Sequence, residues 1–510
     1  MQIQALHWTS PLISTVFFTA DLILRIGLSL RVIMCKKNYG VSYAWLVVVL
    51  LVPFLGGLLY LCFGENRLSE RRIKRILKAK KYYYKWLQQL AEGPQVDWSA
   101  LNPEFAPIQL HTQNLVGIPA MAGNNISLLH SQDNILDSII KDIEASQSTC
   151  HLQFYIWEAG GRIKEISEAL IRARKRGVIC RILLDAIGSR GFFSSASARR
   201  MEQAGIKIQA SLPAGIYRAI FARMDIRNHR KIIVIDGKIA YTGSQNMVDA
   251  IFFKQESGVG HWVDIVARIR GPVVETLAAT FASDWYLEAE QDTFQQIDDV
   301  QELRHIGDIY PQTAQGTSAV QLVPSGPGFT QDAIHSLLLT VIYSARKELI
   351  MTTPYFIPDE SLLTALKAAA LRGVRVILII PQSNDSKLVK YASRAKYDDL
   401  TYAGVEIMLF NGGLLHSKTI TVDGDLALFG SVNLDMRSFW LNFEVTLVIY
   451  CRETTQDIRR AQMAYLRQSA PLDLRHFHRR HFFEKLKENC ALLVSPTTIT
   501  HPNNCSAQQL

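Results

Sequence analysis

Residues 229–246 read HRKIIVIDGKIAYTGSQN, and residues 416–433 read HSKTITVDGDLALFGSVN. The two stretches agree at His229/His416, Lys231/Lys418, Asp236/Asp423, Gly237/Gly424, Gly243/Gly430, Ser244/Ser431 and Asn246/Asn433. One such run is an ordinary strand sequence. Two copies, each followed at the same distance by Gly-Ser-x-Asn, point to a duplicated lobe. Each copy reads as a strand, an Asp-Gly turn and a second strand. Period-two alternation puts each histidine and the lysine two residues on along the same side.

The surroundings repeat as well. The apolar run VICRILLD (178–185) follows the charged helical stretch KEISEALIRARKRG (164–177), and VRVILIIP (374–381) follows SLLTALKAAALRG (361–373). Shorter echoes are AGIKI (204–208) and AGVEI (403–407). Short β-rich runs alternating with helical ones make an α/β pattern. The expected organisation is a first lobe over 111–297, a polar linker over 298–318 and a second lobe over 319–496.

The repeated residues suit chemistry at a phosphodiester. A nucleophile attacking that anion approaches through negative charge, which Lys231 and Lys418 can neutralise at the nonbridging oxygens. Asn246 and Asn433 add neutral donors, and Ser244 and Ser431 can hydrogen-bond nearby. Histidine is a competent nucleophile at neutral pH, and a second histidine can protonate the leaving oxygen. Such imidazoles are usually oriented by an acceptor on the other ring nitrogen. Glu444, in the strand-like SFWLNFEVTLVIY, is assigned to His416, and Asp264, in HWVDIVARIR, to His229. For both carboxylates an ordinary salt bridge is the alternative. Asp236 and Asp423 complete the repeated motif, but they sit at the turn and are expected to make a supporting salt bridge or turn bond.

The chain has 510 residues, 48% of them hydrophobic, and a formal charge of +9. Global disorder is thereby excluded. A basic balance suits nucleic acid, anionic lipid or phosphate-bearing substrates, and charge alone does not choose. The seven cysteines include no CxxC pair, which argues against a structural zinc site. No metal site is expected.

The N-terminal 65 residues read as a membrane anchor of two helices. The stronger span is 43–63, YAWLVVVLLVPFLGGLLYLCF, which has no charge. Its Pro53 and Gly56-Gly57 are tolerable in a membrane helix. The weaker span, 11–34, carries Asp21, Arg25 and Arg31; the first two lie one turn apart and can pair. A cleaved signal peptide would need a basic start, and residues 1–10 have no Lys or Arg. A basic linker follows over 66–110. Its cations, from Arg67 to Lys81, outnumber Lys36 and Lys37 of the connecting loop, so the positive-inside rule places the lobes in the cytoplasm. Its stretch 71–90 either lies on anionic lipid or is a solvated helix. The run RHFHRRH (475–481) is expected to form a basic surface near lipid headgroups, and 497–510 is a polar tail.

These residues resemble the phospholipase D superfamily, whose mark is the doubled His-x-Lys-x4-Asp motif. Within it the chain is similar to the bacterial cardiolipin synthases, through the two-span N-terminus ending in YLCFGENR, the phrases VPSGPG (323–328) and TTPYFIPDESL (352–362), and the motif spacing. The resemblance implies two α/β/α lobes related by a pseudo-two-fold axis and sharing one active site. It implies no cofactor, a multi-pass protein of the bacterial cytoplasmic membrane, and no nucleic-acid partner. It implies transfer of a phosphatidyl group from one phosphatidylglycerol to another through a phosphatidyl-histidine, with His229 as nucleophile and His416 as acid. A phospholipase D-type hydrolase or another phosphatidyltransferase is the alternative, and a non-catalytic anionic-lipid scaffold is a third. Tyr355, Phe356 and Ile357 either line an acyl-chain entrance or pack a core strand.

Overall fold

A computed structural model describes residues 4–35, 39–65, 68–213, 223, 225–289, 300–328 and 332–497. The polar tail beyond Thr497, Lys36, Lys37, Arg67 and the first two residues of the expected 298–318 linker lie outside the described residues. The chain divides into two compact units: residues 1–70 with 214–225 and 493–510, and residues 71–213 with 226–492.

In the first unit, α1 (Gln4–Met34) is a long helix, followed by α2 (Tyr39–Leu51) and α3 (Leu55–Phe63). The expected continuous span over 43–63 is broken at Pro53, and Phe54 takes a positive φ of 50°. Proline has no N–H and its ring clashes with the preceding turn, so the helix stops there. Phe54 N–H and Leu50 C=O would be bonded in an unbroken helix. Here Asp21 accepts from the Phe54 N–H at 3.0 Å, and Arg25 donates to the Leu50 carbonyl at 2.7 Å. Asp21 and Arg25 also pair with each other. Near the other end Glu65 accepts from Arg31 at 2.7 Å and from the Tyr60 hydroxyl at 2.8 Å. Among the described residues no helix is both long and apolar enough to cross a membrane.

The second unit holds the duplication. In the first lobe the strands are β1 (Met121–Leu129), β2 (Thr149–Phe154), β3 (Ile179–Asp185), β4 (Lys207–Ser211), β5 (Ile232–Ile235), β6 (Ile239–Gly243), β7 (Trp262–Val263) and β8 (Val266–Arg270). In the second they are β9 (Ser318–Ser325), β10 (Glu348–Thr352), β11 (Phe356–Ile357), β12 (Arg375–Pro381), β13 (Glu406–Phe410), β14 (Leu414–Leu415), β15 (Thr419–Val422), β16 (Leu426–Gly430), β17 (Leu434–Asp435), β18 (Glu444–Ile449) and β19 (Ser469–Pro471). Fifteen of them form one sheet, ordered β19-β13-β12-β10-β15-β16-β18-β9-β1-β8-β6-β5-β2-β3-β4. Read outward from the β9–β1 seam, the two halves have the same topology. Strands β3 and β12 are almost wholly apolar because helices cover both sheet faces. Helices Gln132–Ala145 and Ile163–Lys175 bury Ile135, Leu136, Ile166 and Leu170 with Leu152, Ile182 and Ile233 of the sheet. Helix Val273–Glu288 lies almost entirely buried in the same lobe.

Two expected linkers are structured. Helix Val300–Gly307 occupies part of 298–318. Helix α4 (Glu70–Leu90) is neither a solvated helix nor free to lie on lipid along its whole length. Its Arg72 is buried against Glu288, Arg75 donates to the Leu287 carbonyl at 2.8 Å, and Trp86 Nε1 donates to Glu275 at 3.0 Å. Residues 105–116 form a helix whose His111 meets Ser336 and Thr340 of the second lobe, each at 3.0 Å.

The Asp-Gly turns are tight. Asp236 and Gly237 have φ of 51° and 61°, and Asp423 and Gly424 have 53° and 77°, the pair of positive values that a type I′ hairpin requires. Each aspartate then collects backbone donors. Asp236 accepts from the N–H groups of Gln147, Ser148 and Thr149, and Asp423 from those of Arg346, Lys347 and Glu348. The motif aspartates are therefore clamps on the start of β2 and β10. Replacing Asp236 or Asp423 by alanine removes three charge-assisted bonds and leaves a strained φ, so unfolding free energy should drop by roughly 2–4 kcal/mol. Asparagine tolerates that φ and keeps an acceptor, and should recover about half. Denaturant unfolding measures both. Folded Asp236→Asn protein that has lost all turnover would show instead that the carboxylate acts in the reaction.

Candidate active site

His229 and Lys231 immediately precede β5, and His416 and Lys418 precede β15 in the same way. The lysines fold back identically: Lys231 Nζ donates to the His229 carbonyl at 2.6 Å, and Lys418 Nζ to the His416 carbonyl at 2.5 Å. All four side chains are buried.

The orienting carboxylates are crossed between lobes. His229 Nδ1 lies 2.9 Å from Glu444 Oε2, and His416 Nδ1 lies 2.6 Å from Asp264 Oδ1. The sequence pairing of Glu444 with His416 and Asp264 with His229 is thus reversed. The cause is in the backbone. His229 N–H donates to the Phe443 carbonyl at 2.9 Å, and His416 N–H donates to the Val263 carbonyl at 2.8 Å. Short parallel pairings, β14 with β7 and Asn228 with Phe443, lay each histidine segment beside the other lobe's carboxylate. Spacing along one chain carries no record of such an exchange.

Within its own lobe each carboxylate is held by the serine of the Gly-Ser-x-Asn turn. Ser244 Oγ donates to Asp264 and Ser431 Oγ to Glu444, both at 2.6 Å. Of the phosphate-binding or supporting roles open to the serines, these bonds are supporting ones: they hold the groups that hold the histidines. Glu444 also accepts from Ser438 at 2.9 Å. Asn246 Oδ1 accepts from the Ile156 N–H at 3.2 Å, and Asn433 is buried with its Oδ1 unpartnered among the described residues.

Because Nδ1–H faces a carboxylate, each imidazole presents Nε2 to the reaction. Burial pushes both histidines down to about 4. The carboxylates oppose that shift, and the lysines of both lobes reinforce it. Burial also lowers Lys231 to about 7 and Lys418 to about 8. For Asp264 and Glu444 burial works upward, yet the facing imidazole and the lysines outweigh it, and both stay below the ordinary carboxylate range. Two neutral imidazoles, each with Nε2 unprotonated, thus stand beside two lysines that titrate near neutrality, an arrangement suited to an anion.

Neighbouring aromatic rings went unnoticed in the sequence. Tyr155 lies 5.1 Å from the His229 ring and Trp262 4.3 Å from that of His416, centroid to centroid. Tyr155 follows β2 and Trp262 stands two residues before Asp264; the second proximity was the one usable signal. Of the expected acyl entrance, Phe356 and Ile357 are core residues, and the Tyr355 hydroxyl donates to Asp385 at 2.9 Å. No group of three or more metal-ligating side chains occurs among the described residues.

Comparison with known proteins agrees with this architecture. A family model described as cardiolipin synthase, PLD-like domain, matches residues 139–285 and 338–463, more than half of the chain. A second, phospholipase D-nuclease N-terminal, matches residues 23–65. Cardiolipin synthase A of Yersinia pseudotuberculosis serotype O:1b (strain IP 31758) is 41% identical over 470 residues, covering 92% of this chain and 95% of the relative. The cardiolipin synthase A of Yersinia pestis bv. Antiqua (strain Angola) matches to the same extent. Among solved structures, phosphatidylserine synthase of Haemophilus influenzae Rd KW20 superposes with a TM-score of 0.57 at 15% identity, over 76% of this chain and 99% of that one, a likeness of fold. A chain with this duplicated sheet, this paired-histidine site and these relatives belongs to the cardiolipin synthase family of phospholipase D-like proteins.

Proposed function

We propose that the chain transfers a phosphatidyl group from one phosphatidylglycerol to another, giving cardiolipin and glycerol. The crossed histidine–carboxylate pairs carry this reading. His229 Nε2 attacks phosphorus, and the bond from phosphorus to the headgroup glycerol oxygen breaks. His416 gives that oxygen a proton, and glycerol leaves. A terminal hydroxyl of the second phosphatidylglycerol then attacks the phosphorus and loses its proton to His416, while the nitrogen–phosphorus bond breaks and returns His229. One phosphodiester replaces another, so no energy-supplying nucleotide is needed. Lys231 and Lys418 balance the charge on the nonbridging oxygens, with Asn246 and Asn433 as neutral partners. The arriving phosphodiester opposes the burial and the lysine charges that disfavour an imidazolium, so His416 takes up a proton from solvent at Nε2 as the substrate binds and is then the acid for the leaving oxygen. The order of the two histidines follows the family resemblance.

The first unit supports a membrane location. Its exposed surface is largely apolar: Val16, Phe17, Phe18, Ile23, Leu30, Val47, Leu51, Leu55 and Leu58 point outward, while Asp21 and Glu65 are buried with their partners Arg25 and Arg31. That inversion suits lipid, with α1 and the broken α2–α3 pair entering the bacterial cytoplasmic membrane together. The cations of α4 favour a cytoplasmic side for the lobes by the positive-inside rule. A reporter fused after Leu510 should be active only in its cytoplasmic form; a periplasmic signal would reverse the orientation.

Purified protein in phosphatidylglycerol vesicles should yield mainly cardiolipin and glycerol. Water is about 55 M in bulk, so a transferase has to exclude it or concentrate the lipid acceptor. Phosphatidic acid as main product at every lipid density would identify a hydrolase. The crossed geometry makes a sharper expectation, using a substrate with an activated leaving group. Glu444→Gln should suppress the covalent adduct as His229→Ala does, by about 100- to 10,000-fold. Asp264→Asn should leave adduct formation standing and slow its turnover, as His416→Ala does. The opposite pairing of phenotypes would mean that the histidine roles are exchanged.

A further inference from the structure

The His/Arg-rich run of the C-terminal region is divided. Arg480 lies over the Phe477 ring at 3.3 Å and binds Asp398 at 2.6 Å; His478 binds Asp398 at 2.9 Å. Those two fasten helix Leu474–His478 to helix Tyr397–Tyr402 and are not a basic surface. Arg475, His476, Arg479 and His481 remain exposed. Beyond them helix Phe482–Thr497 packs against helix Lys387–Arg394, through Ala491 on Ala392 and Ile357 and through Arg394 on the buried Glu488 at 2.7 Å.

The outward faces of this helix pair are unusual for a cytoplasmic surface. Phe482 and Phe483 are each 71% exposed, Leu486 and Leu388 45%, and Leu474 42%. Around them stand Lys387, Lys390, Arg475, Arg479, Lys485 and Lys487, all exposed. The carboxylates among them are Glu484, paired with Lys487 at 2.9 Å, and Asp473, which caps helix Leu474–His478. Exposed aromatic and aliphatic groups ringed by cations match the boundary between acyl chains and anionic headgroups. A second copy of the same face would set cation against cation. We infer that the helix pair 387–394 and 482–492 is a second membrane contact, resting its apolar tips on an anionic bilayer. The contact deepens the proposed function, on which it rests, by bringing the bilayer to the helices that cover Ile357 of β11 and Met436 after β17.

The test uses the full chain reconstituted in vesicles, with p-benzoylphenylalanine in place of Phe483 and, as control, of Leu371, which is 74% exposed. On irradiation in phosphatidylglycerol vesicles, position 483 should form a lipid adduct in at least tenfold excess over position 371. Each cation near an anionic surface contributes about fivefold, so Lys485→Gln should cut the yield by roughly that factor. Cross-linking to a second protein copy, absence of a lipid adduct, or equal yield in phosphatidylcholine vesicles would overturn the inference. Cardiolipin formation measured in the same vesicles reports separately on the pocket.

Discussion

Each histidine is held by a carboxylate from the other lobe, and much of the remaining structure serves that exchange. A 2.6–2.9 Å bond between side chains 152 and 215 residues apart demands a fixed relation between the lobes. The continuous sheet through the β9–β1 seam supplies it. Two separate sheets meeting only at the site would let the lobes rock, and a shift of 1 Å would cost orientation of both imidazoles together. The serines of the Gly-Ser-x-Asn turns and the motif aspartates are supports for the same end, one set holding the carboxylates and the other the strands that lead toward the histidines.

Electrostatics is the second constraint. Four titratable groups of the repeated motif are buried together with two carboxylates, at a desolvation cost that the fold carries elsewhere. Asp264 and Glu444 stay charged because each faces an imidazole and ammonium groups, and the lysines stay near the edge of protonation because the carboxylates only partly offset burial. With two lysines against two carboxylates the site is close to neutral, so an arriving phosphodiester adds a negative charge that favours a proton on an imidazole, and binding and proton placement are coupled.

The duplication, the α/β class and the histidine–lysine pairs were legible in sequence because they are local: alternation, an Asp-Gly turn, a repeated spacing. Even the restricted role of Asp236 and Asp423 followed from their place at the turn. The partners of Asp264 and Glu444 were not legible, since a two-fold arrangement offers each carboxylate two equivalent histidines and only the strand exchange at Val263 and Phe443 chooses. The continuity of the helix expected over 43–63 was not legible for a different reason. Its hydropathy was uninterrupted, but Pro53 acts on backbone geometry, to which a count of apolar residues is blind. Arg480 and His478 show the same limit, for a run of cations reads as surface until Asp398 is placed beneath it.

The broken helix depends on an ion pair of the helix before it. Asp21 and Arg25 occupy two of the backbone groups exposed by the break at Pro53, so the second helix relies on the first to satisfy them. Alone in an apolar medium, α1 would still pair Asp21 with Arg25, whereas α2–α3 would carry an open carbonyl and an open amide, each costing several kcal/mol. The two helical segments are therefore stable as a pair. The groups that close the break at Pro53 lie on a segment made roughly thirty residues earlier, so the proline that shortens the second helix ties its polar satisfaction to the helix that precedes it.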